Sequence, residues 1–303
     1  MSPSLSYSFA PKYLSGTSSW VAHLPFAYEL IRVLEPGVFV ELGTWNGDSF
    51  FTFCQSVAEN RLRTVCYAVD HWKGDDQAGS PDSAQYHRVQ SYCSENYRDF
   101  AYLMQTDFTS ASREFSDGQI ELLHIDGLHT YEAVSSDFET WFPKVRNGGV
   151  ILFHDICVRS SDNYQDFGVW KFWDELKSKH QTFEFGHGYG LGILVKGENA
   201  PAVAWLKSAM DESKSYFSRR GVDLQRIVES VGTQERLQER LQQMTADRDA
   251  HAEAGSRLAG ELQGMHSQLQ QVQQELSKTR NAIEEWNGGS WFRRAFHKFR
   301  TPK

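Results

Sequence analysis

Two segments of the sequence combine carboxylates with imidazoles directly after apolar runs. One run leads into Asp126 and His129, and a later run leads into His154 and Asp155. If the runs are neighbouring parallel strands, their carboxyl ends meet at one edge of a sheet, and Asp126, His154 and Asp155 are expected around one point. Two carboxylates and an imidazole can hold a divalent cation, which lowers the pKa of a bound hydroxyl. His129 or His154 could instead act as a general base, because imidazole titrates near neutral pH. Each could also simply cap a helix or brace a loop, and His124, whose side chain alternates away from Asp126, is interpreted as a core histidine.

A glycine-containing turn follows the first apolar run. Gly43 allows a tight turn, and Gly47 allows the backbone to approach a ligand closely. The spacing differs from the G-x-G-x-x-G of dinucleotide enzymes, and Glu41 places a carboxylate where it would repel a pyrophosphate. The turn therefore favours a cationic ligand. Its candidate binding residues are Glu41, Gly43, Thr44, Gly47 and Ser49.

Further acids stand at the ends of the next two apolar runs. Asp70 is followed by His71, and Asp107 is followed by Phe108. An acid at the second strand end can accept both ribose hydroxyls, and an acid beside an aromatic ring could bind an adenine amino group and ring. Each acid alone could be a helix N-cap. Acids at three successive strand ends match an adenosyl ligand that carries a positive sulfonium.

An alternation of short apolar runs and amphipathic stretches must position these residues. The runs have strand length and are Val38–Leu42, Val65–Val69, Tyr102–Gln105, Ile120–Ile125, Val150–Phe153, Phe183–Phe185 and Leu191–Val195. The helix-like stretches are Trp20–Leu34, Asp48–Ala58, Ser83–Tyr97, Tyr131–Phe142 and Phe167–Lys177. This alternation predicts an α/β fold with a mostly parallel sheet covered on both faces. Gly148-Gly149 is interpreted as the turn from a helix into the fifth strand.

Composition excludes several classes of protein. The 303-residue chain has a formal net charge of −8, whereas a nucleic-acid-binding surface needs a concentrated positive field. Its cysteines, at positions 54, 66, 93 and 157, contain no CxxC pair, so we expect buried thiols in a reducing compartment. We find no signal-peptide pattern and no apolar stretch approaching ~18 residues. We therefore expect a cytoplasmic protein that does not bind nucleic acid.

After about residue 233 the apolar residues recur in steps of four and three. This heptad pattern is typical of a coiled coil. Its seam residues are Leu237, Leu241, Met244, Leu258, Leu262, Met265, Leu269, Val272, Leu276 and Ile283. The same phase places Arg248, His251 and Gly255 in the seam, so its middle is weak. We expect a rod about 75 Å long that associates with itself or with a partner helix, and a lone solvated helix is the alternative.

Asn287-Gly288-Gly289 is predicted to end this helix. The remaining segment, residues 290–303, contains five basic residues and no acid. As a helix it would place Phe292, Phe296 and Phe299 on one face. A basic amphipathic end of this kind can lie on an anionic membrane surface, or it can pack on its own protein or on a partner.

Seven motifs occur in an order that resembles a known family. They are Glu41-x-Gly43-x-x-x-Gly47-x-Ser49, Val69-Asp70-x-Trp72-x-Gly74-Asp75, His124-Ile125-Asp126-Gly127-x-His129-x-Tyr131-Glu132, Asp137-Phe138-Glu139-x-Trp141-x-Pro143-Lys144, Gly149-Val150-x-Leu152-Phe153-His154-Asp155, Phe167-Gly168-Val169-Trp170 and His187-Gly188-x-Gly190-Leu191-Gly192. Together they resemble the class I methyltransferases grouped as methyltransferase family 24, over roughly residues 10–200.

The resemblance implies a Rossmann-like, seven-stranded sheet with an antiparallel last strand, and S-adenosylmethionine as cofactor. The implied cofactor pocket contains Glu41, Gly43, Gly47, Ser49, Asp70, His71 and Asp107. Related sugar O-methyltransferases and catechol-type enzymes hold Mg²⁺ with acids at the positions of Asp126, His154 and Asp155. His154 departs from this pattern, because an acid usually stands there. A Mg²⁺ or Mn²⁺ site and a metal-free base mechanism therefore both stay open.

The sequence thus predicts three parts: a methyltransferase domain over 1–215, a helical linker and coiled coil over 216–286, and a basic tail over 287–303. Similar proteins often accompany glycosyltransferases that make bacterial surface polysaccharides. This implies an O-methyltransferase that acts on a sugar hydroxyl, in some similar proteins to terminate O-antigen chains. The implied partners are a glycan acceptor, further copies of the chain, a glycosyltransferase and the inner face of the cell membrane. Alternatives are a catalytically silent scaffold or length ruler in a glycan-assembly complex, a nicotinamide oxidoreductase and a metal-dependent hydroxylase-like protein.

Overall fold

A single sheet of seven strands organises the first part of the chain. The computed structural model describes residues 9–16, 19–74, 84–159, 166–197, 201–250 and 255–287. The strands are β1 (Val38–Leu42), β2 (Val65–Asp70), β3 (Ala101–Gln105), β4 (Ile120–Ile125), β5 (Val145–His154), β6 (Gln181–Phe185) and β7 (Leu191–Val195). All seven strand segments predicted from the sequence are present, with longer bounds for four of them.

The strands lie in the order β3-β2-β1-β4-β5-β7-β6. The first five of these are parallel, and β7 runs antiparallel to both β5 and β6. The strand order reverses between β1 and β4, and open α/β sheets bind ligands at the carboxyl ends of the strands beside such a reversal. The predicted Rossmann-like sheet with an antiparallel last strand is confirmed.

Helices connect the strands and continue beyond the sheet. They are α1 (Leu24–Leu34), α2 (Asp48–Asn60), α3 (Gln85–Asn96), α4 (Phe108–Ser112), α5 (Tyr131–Trp141), α6 (Val169–Lys177), α7 (Pro201–Ser208), α8 (Lys214–Ala250) and α9 (Gly255–Asn287). A 3-10 turn, Ser19–His23, precedes α1, and a π-helical turn, Ala209–Ser213, joins α7 to α8.

Helix α5 illustrates how local sequence sets an element near the site. The Thr130 hydroxyl accepts a hydrogen bond from the backbone N–H of Ala133 at 3.2 Å, which satisfies one of the free donors at the helix start. Val134, Phe138 and Trp141 then recur at helical spacing and are buried against the sheet. Burying each large apolar side chain contributes about 1.5–3 kcal/mol, so this face holds α5 over β4 and β5.

One sequence interpretation at β5 is wrong. Gly148-Gly149 was expected to form the turn before the strand, but both residues lie inside β5. Ile120 of β4 pairs with Val145, whereas Leu122 pairs with Val150, so the register shifts at the glycines. Gly148 has a φ of 83°, a value that L side chains rarely adopt. The glycine pair is therefore a bulge that bends the strand.

The four cysteines are free thiols. Cys54, Cys66 and Cys93 are buried in the sheet and its covering helices, and Cys157 is exposed. The expectation of buried thiols is confirmed for three of the four.

The chain divides into two compact units, Met1–Gly221 and Val222–Lys303. Within the second unit, Ile227 of α8 and Ile283 of α9 form one buried cluster, which Val231 and Leu276 extend. In a single continuous helix Ile227 and Ile283 would be about 84 Å apart. The predicted unbroken rod is therefore wrong, because the two helices fold back and pack on each other.

Two seam residues of the heptad pattern, Leu276 and Ile283, belong to this cluster. Among its described seam positions, Met244 and Ile283 are buried, and Leu237, Leu241, Leu262, Met265, Leu269, Val272 and Leu276 are partly buried. The predicted tail, 287–303, lies outside the described residues except for Asn287, and so does the seam residue His251. Among the described helices, none is long and apolar enough to cross a membrane.

Candidate active site

A cavity of about 580 Å³ opens at the carboxyl ends of the strands, beside the reversal between β1 and β4. Its wall contains the turn after β1, the residues that follow β2, β3 and β4, and Asp155 after β5. The sequence-predicted residues that line it are Gly43, Thr44, Gly47, Ser49, Asp70, His71, Asp107, Phe108, Asp126, His129 and Asp155. Glu41 and His154 lie behind this wall and are buried.

The turn after β1 requires its two glycines. Gly43 has a φ of 86°, and a Cβ there would lie 1.9 Å from the backbone oxygen of Asp126. Gly47 has a φ of 87°, and a Cβ there would lie 2.6 Å from the Phe51 ring. The chain can follow this path only without side chains at both positions. The close approach of Gly43 also fixes where Asp126 begins the loop after β4.

Asp70 holds the turn through its carboxylate. Oδ2 accepts hydrogen bonds from the backbone N–H groups of Thr44 and Trp45, at 3.0 and 2.9 Å. Oδ1 accepts a third bond, from the N–H of Trp72, at 2.7 Å. The sequence suggested that Asp70 accepts both ribose hydroxyls, but only Oδ1 keeps an acceptor position for a ligand. Asp70 therefore shapes the pocket as well as facing it.

The carboxylate of Glu41 is hydrogen-bonded to a buried histidine. The Trp20 indole N–H donates to Nε2 of His124 at 3.1 Å. Nδ1 of His124 must then carry the proton and donates to Oε2 of Glu41 at 2.9 Å. Burial raises the pKa of Glu41, and the bond from His124 opposes this shift. His124 is thus a core histidine, as expected.

Asp126, His129, His154 and Asp155 form a cluster, here called the acid–imidazole cluster. Nε2 of His129 lies 2.9 Å from Oδ2 of Asp155 and 3.7 Å from Oδ1 of Asp126. Nδ1 of His154 lies 3.3 Å from Oδ1 of Asp155 and 3.4 Å from Oδ1 of Asp126. The ends of β4 and β5 therefore bring together the four residues that the sequence singled out. His129 also stacks on Phe167, with ring centroids 4.6 Å apart.

A backbone carbonyl sets the orientation of His154. Gly188, in the loop between β6 and β7, accepts hydrogen bonds from Nε2 of both His154 and His23, at 3.1 and 2.9 Å. Since a carbonyl oxygen only accepts, both Nε2 atoms carry protons. His154 therefore directs Nδ1 towards Asp126 and Asp155. Carbonyl bonding of the distal nitrogen is the usual support of a metal-ligating histidine.

The cluster shifts the pKa values of its own members. Burial alone would lower the pKa of His129, but Asp126 and Asp155 outweigh it and raise the pKa to about 9. Burial would likewise lower the pKa of His154, but the same two carboxylates raise it well above its ordinary value. Burial acts in the opposite sense on Asp155, and His154 and His129 outweigh it, lowering the pKa to about 2. The pKa of Asp126 is also lowered, mainly by His154 against burial.

The geometry of the cluster fits one cation. Asp126, His154 and Asp155 each offer a ligand atom, and these three atoms lie within 4.8 Å of one another. Nitrogen and oxygen ligands about 2.0–2.2 Å from one ion have separations of this order.

Asp107 and Phe108 form the far part of the cavity wall. The carboxylate of Asp107 caps α4, because its Oδ1 accepts from the N–H of Ser110 at 2.8 Å. This bond is the main cause that lowers the pKa of Asp107. The N-cap alternative raised by the sequence is thus realised, and the same residue still faces the cavity together with Phe108 and Thr109.

Among the lining residues without a role predicted from the sequence are Trp20 and Asp137. Trp20 lies after a segment without a motif, and only its donation to His124 reveals its place. Asp137 was part of a motif but received no role. Its signal was available, because it lies three residues after Val134 and four before Trp141, on the buried face of α5.

Comparisons with known proteins bear on the region around this cavity. Residues 40–156 match a family model described as a methyltransferase domain. That span contains the glycine turn and the whole acid–imidazole cluster. The chain is also 38% identical over 235 residues to the uncharacterized protein y4gI of Sinorhizobium fredii strain NGR234. The match covers 75% of this chain and 25% of that protein, so the chain spans about a quarter of its relative's length.

The chain is also similar to solved structures. One is an O-methyltransferase from Bacillus cereus in complex with SAH, at 13% identity and a TM-score of 0.45, covering 60% of this chain and 84% of that one. Another is the O-methyltransferase TomG from Streptomyces achromogenes in complex with SAM, at 13% identity and a TM-score of 0.44, covering 63% and 93%.

Proposed function

We propose that this protein transfers a methyl group from S-adenosylmethionine to a hydroxyl oxygen. The observation that carries the proposal is that one cavity joins the glycine turn to Asp126, His129 and Asp155. A methyl donor held against the turn would present its reactive group to the acid–imidazole cluster. The match of residues 40–156 to a methyltransferase domain supports the same assignment.

The charge of the cavity favours a sulfonium over a phosphate. Six Asp side chains line it, the described lining residues include no Lys or Arg, and the raised pKa of His129 adds one imidazolium among them. An enclosed acidic surface attracts a cation and repels a pyrophosphate. This supports methyl transfer over the alternative of hydride transfer from a nicotinamide dinucleotide.

Methyl transfer to oxygen requires the acceptor oxygen, the methyl carbon and the sulfur to lie in line, and the hydroxyl must lose its proton. S-adenosylmethionine supplies a methyl group that the sulfonium already activates. Asp126 and Asp155 face the cavity and can accept a hydrogen bond from the acceptor hydroxyl, which aims its oxygen lone pair. We assign proton removal to His129, with Asp155, 2.9 Å away, orienting its ring. Because the two carboxylates raise the pKa of His129 to about 9, the neutral base is the minor form at neutral pH, and turnover should increase as the pH rises towards 9.

A divalent cation also fits the observed donor set. The two carboxylates and Nδ1 of His154 converge, and the Gly188 carbonyl holds the other ring nitrogen. Without a cation the two carboxylates raise the pKa of His154 and keep a proton on Nδ1, so a bound cation would replace that proton. Such a cation supplies positive charge that lowers the pKa of an acceptor hydroxyl. We propose that Asp126, His154 and Asp155 hold Mg²⁺ or Mn²⁺, and the imidazole ligand favours Mn²⁺.

We further propose that the acceptor is a sugar hydroxyl of a bacterial surface polysaccharide. The resemblance of the seven motifs to sugar O-methyltransferases supports this acceptor class. Leu128 lines the cavity and is 37% exposed, so it offers an apolar contact to the C–H face of a sugar ring. A glycosyltransferase partner and contact of the tail with a membrane surface belong to the same proposal.

A labelled-methyl transfer assay against lipid-linked glycans and polysaccharide fractions, with and without a chelator, tests the proposal. We expect label in a glycan fraction, loss of transfer in Asp155→Ala, and normal transfer in Asp99→Ala, which removes an exposed acid. Binding of S-adenosylhomocysteine without transfer to any fraction would favour the silent-scaffold alternative. Absence of both binding and transfer would refute the proposal.

A further inference from the structure

Two cations lie over one aromatic ring close to the acid–imidazole cluster. The guanidinium carbon of Arg159 lies 4.1 Å from the centroid of the Trp170 ring, and Nζ of Lys171 lies 5.5 Å from the same centroid. Both cations are exposed, and in the described part of the chain neither forms an ion pair with a carboxylate. Arg159 and Lys171 are here called the cation pair. Like charges brought to one ring repel each other, so a bound anion would stabilise this arrangement.

The surrounding charges show that compensation is available but is used elsewhere. Lys177 of α6 has its Nζ 2.7 Å from Oδ1 of Asp174 and 3.8 Å from Oε2 of Glu184. Glu175, on the same helix, accepts a hydrogen bond from the Tyr131 hydroxyl at 2.9 Å. These acids leave the cation pair uncompensated in a chain whose formal net charge is −8. The pair is therefore not explained by the salt bridges that hold α6 in place.

The chain attaches the cation pair to the cluster on both sides. Arg159 follows Asp155 by four residues, which span at most about 14 Å. Lys171 follows Gly168 by three residues, and the N–H of Gly168 donates to the carbonyl of His129 at 2.7 Å. Neither cation lines the cavity that the methyl donor would fill. A ligand with one end at the cluster can therefore reach the cation pair with its other end.

The two side chains indicate the chemistry of that ligand, because both only donate hydrogen bonds. An arginine over an aromatic face keeps its N–H donors in the guanidinium plane, where they match the two oxygens of a carboxylate or a phosphate. Nη1 of Arg159 also donates to the Ile156 carbonyl at 3.5 Å, which steadies the side chain. The Asp side chains of the cavity would repel the same oxyanion. The two charged regions together would orient a ligand that carries a hydroxyl and an anion.

We propose that Arg159 and Lys171 bind an oxyanion of the acceptor while its hydroxyl lies at the acid–imidazole cluster. The oxyanion is the carboxylate of an acidic sugar or a sugar phosphate ester. This inference rests on the proposed function, because it assumes that the cluster receives the acceptor hydroxyl. It narrows the acceptor to an acidic glycan and makes both cations specificity-determining residues.

The test compares three sugars that differ in charge. Ligand-observed NMR titrations measure the affinities of glucose, glucuronic acid and glucose 6-phosphate for the full chain saturated with S-adenosylhomocysteine. We expect at least one acidic sugar to bind about tenfold more tightly than glucose. The tighter of the two acids identifies the source of the oxyanion as a carboxylate or a phosphate. Equal affinities for all three sugars would overturn the inference.

Variants assign the preference to the cation pair. Arg159→Gln and Lys171→Gln should each reduce the preference for the acidic sugar about three- to tenfold. Arg159→Lys keeps the charge but loses the planar fork, so it should retain part of the preference. Lys179→Gln removes an exposed cation just after α6 and is the matched control, which should behave as the wild type. Affinity for S-adenosylhomocysteine should stay unchanged in all four.

The outcomes separate this inference from the proposed function. Protein that binds S-adenosylhomocysteine but does not distinguish acidic from neutral sugars overturns the inference alone. So does a preference for the acidic sugar that survives in both Arg159→Gln and Lys171→Gln. Wild-type protein that does not bind S-adenosylhomocysteine overturns the proposed function, and with it the assignment of the cation pair to the acceptor.

Discussion

The members of the acid–imidazole cluster determine one another's charge. Each carboxylate faces both imidazoles within 3.7 Å, and both histidines have raised pKa values while both acids have lowered ones. Removing one carboxylate leaves a buried imidazolium with half of its compensation. Substitutions in the cluster will therefore change the charge of their neighbours as well as remove a side chain.

Asp155→Ala should reduce turnover by at least about 10²-fold, because it removes the group that orients His129 and faces the acceptor. Affinity for S-adenosylhomocysteine should change less than about threefold, since the donor's turn and Asp70 are intact. Single-turnover kinetics and calorimetry provide the two measurements. Normal turnover by this variant would refute the assignment of the cluster, and Asp99→Ala serves as the control for an acid removed elsewhere.

Asp137→Asn should stabilise the ligand-free protein above neutral pH. The pKa of Asp137 is raised in the folded protein to about 7 from an ordinary 3.8. The folded state therefore prefers the protonated acid, and stability is lost as the pH rises from about 4 to about 7. Discounted for partial exposure, the variant should gain about 1–3 kcal/mol at pH 8 and almost nothing at pH 4. Denaturant titrations at both values test this, and a pH-independent difference would contradict it.

Among the elements, the turn after β1 requires that Gly43 carry no side chain, because its backbone lies against that of Asp126. Gly43→Ala combines a positive φ with a Cβ that would meet the Asp126 carbonyl. We expect it to destabilise the fold by more than about 3 kcal/mol and to abolish S-adenosylhomocysteine binding.

Gly118→Ala is a matched control for Gly43→Ala. Its φ is +72°, but a Cβ there would meet nothing nearer than the Arg146 Cα at 4.0 Å. It should destabilise by only about 1–2 kcal/mol, through backbone strain alone, with binding unchanged. Equal effects of the two substitutions in thermal unfolding would mean that the approach to Asp126 is unimportant.

Because α8 packs on α9, the contributions of Ile227 and Ile283 to stability should be coupled. Ile227→Ala and Ile283→Ala should each destabilise the second unit by about 2–4 kcal/mol. Because the two side chains touch, their effects should be non-additive by at least about 0.5 kcal/mol. A double-mutant cycle followed by helical circular dichroism measures this. Strict additivity would support a continuous rod and contradict the helix pair.

At the scale of the whole molecule, charge should influence which donor species binds. The chain carries a formal net charge of −8, and six Asp side chains line the cavity. S-adenosylmethionine carries one more positive charge than S-adenosylhomocysteine. Raising salt from about 0.05 to 0.5 M should weaken S-adenosylmethionine binding several-fold more than S-adenosylhomocysteine binding, because salt screens this attraction. Equal salt dependence in calorimetry would show that the acids are neutralised by other groups.

Much of the sheet could be predicted from the sequence, because buried strands are short apolar runs and strand ends converge by topology. The same reasoning placed Asp126 and Asp155 at one site. It could not show that Glu41 turns inward to His124, or that Asp70 uses three of its acceptor positions on backbone groups, because periodicity does not reveal rotamers.

The prediction of a rod was wrong for a different reason. A heptad pattern identifies the apolar face of a helix, but not the partner that covers it. Ile227 and Ile283 are distant in sequence, so their contact depends on a reversal of the chain that the pattern does not encode. Asp137 had a visible signal, because it lies beside the buried residues of α5, and only the structure revealed that no donor in the described part of the chain contacts its carboxylate.

The carbonyl of Gly188 gives the site a form of mutational robustness. A point mutation cannot remove a backbone oxygen, so most substitutions in the loop between β6 and β7 should leave the hydrogen bond to Nε2 of His154 in place. A substitution of Gly188 itself would disturb the site, because a Cβ there would lie 2.6 Å from Ala22 Cβ and 2.9 Å from Nε2 of His23. In laboratory evolution, the rest of this loop could be randomised while Gly188 is held constant and His154 keeps its orientation.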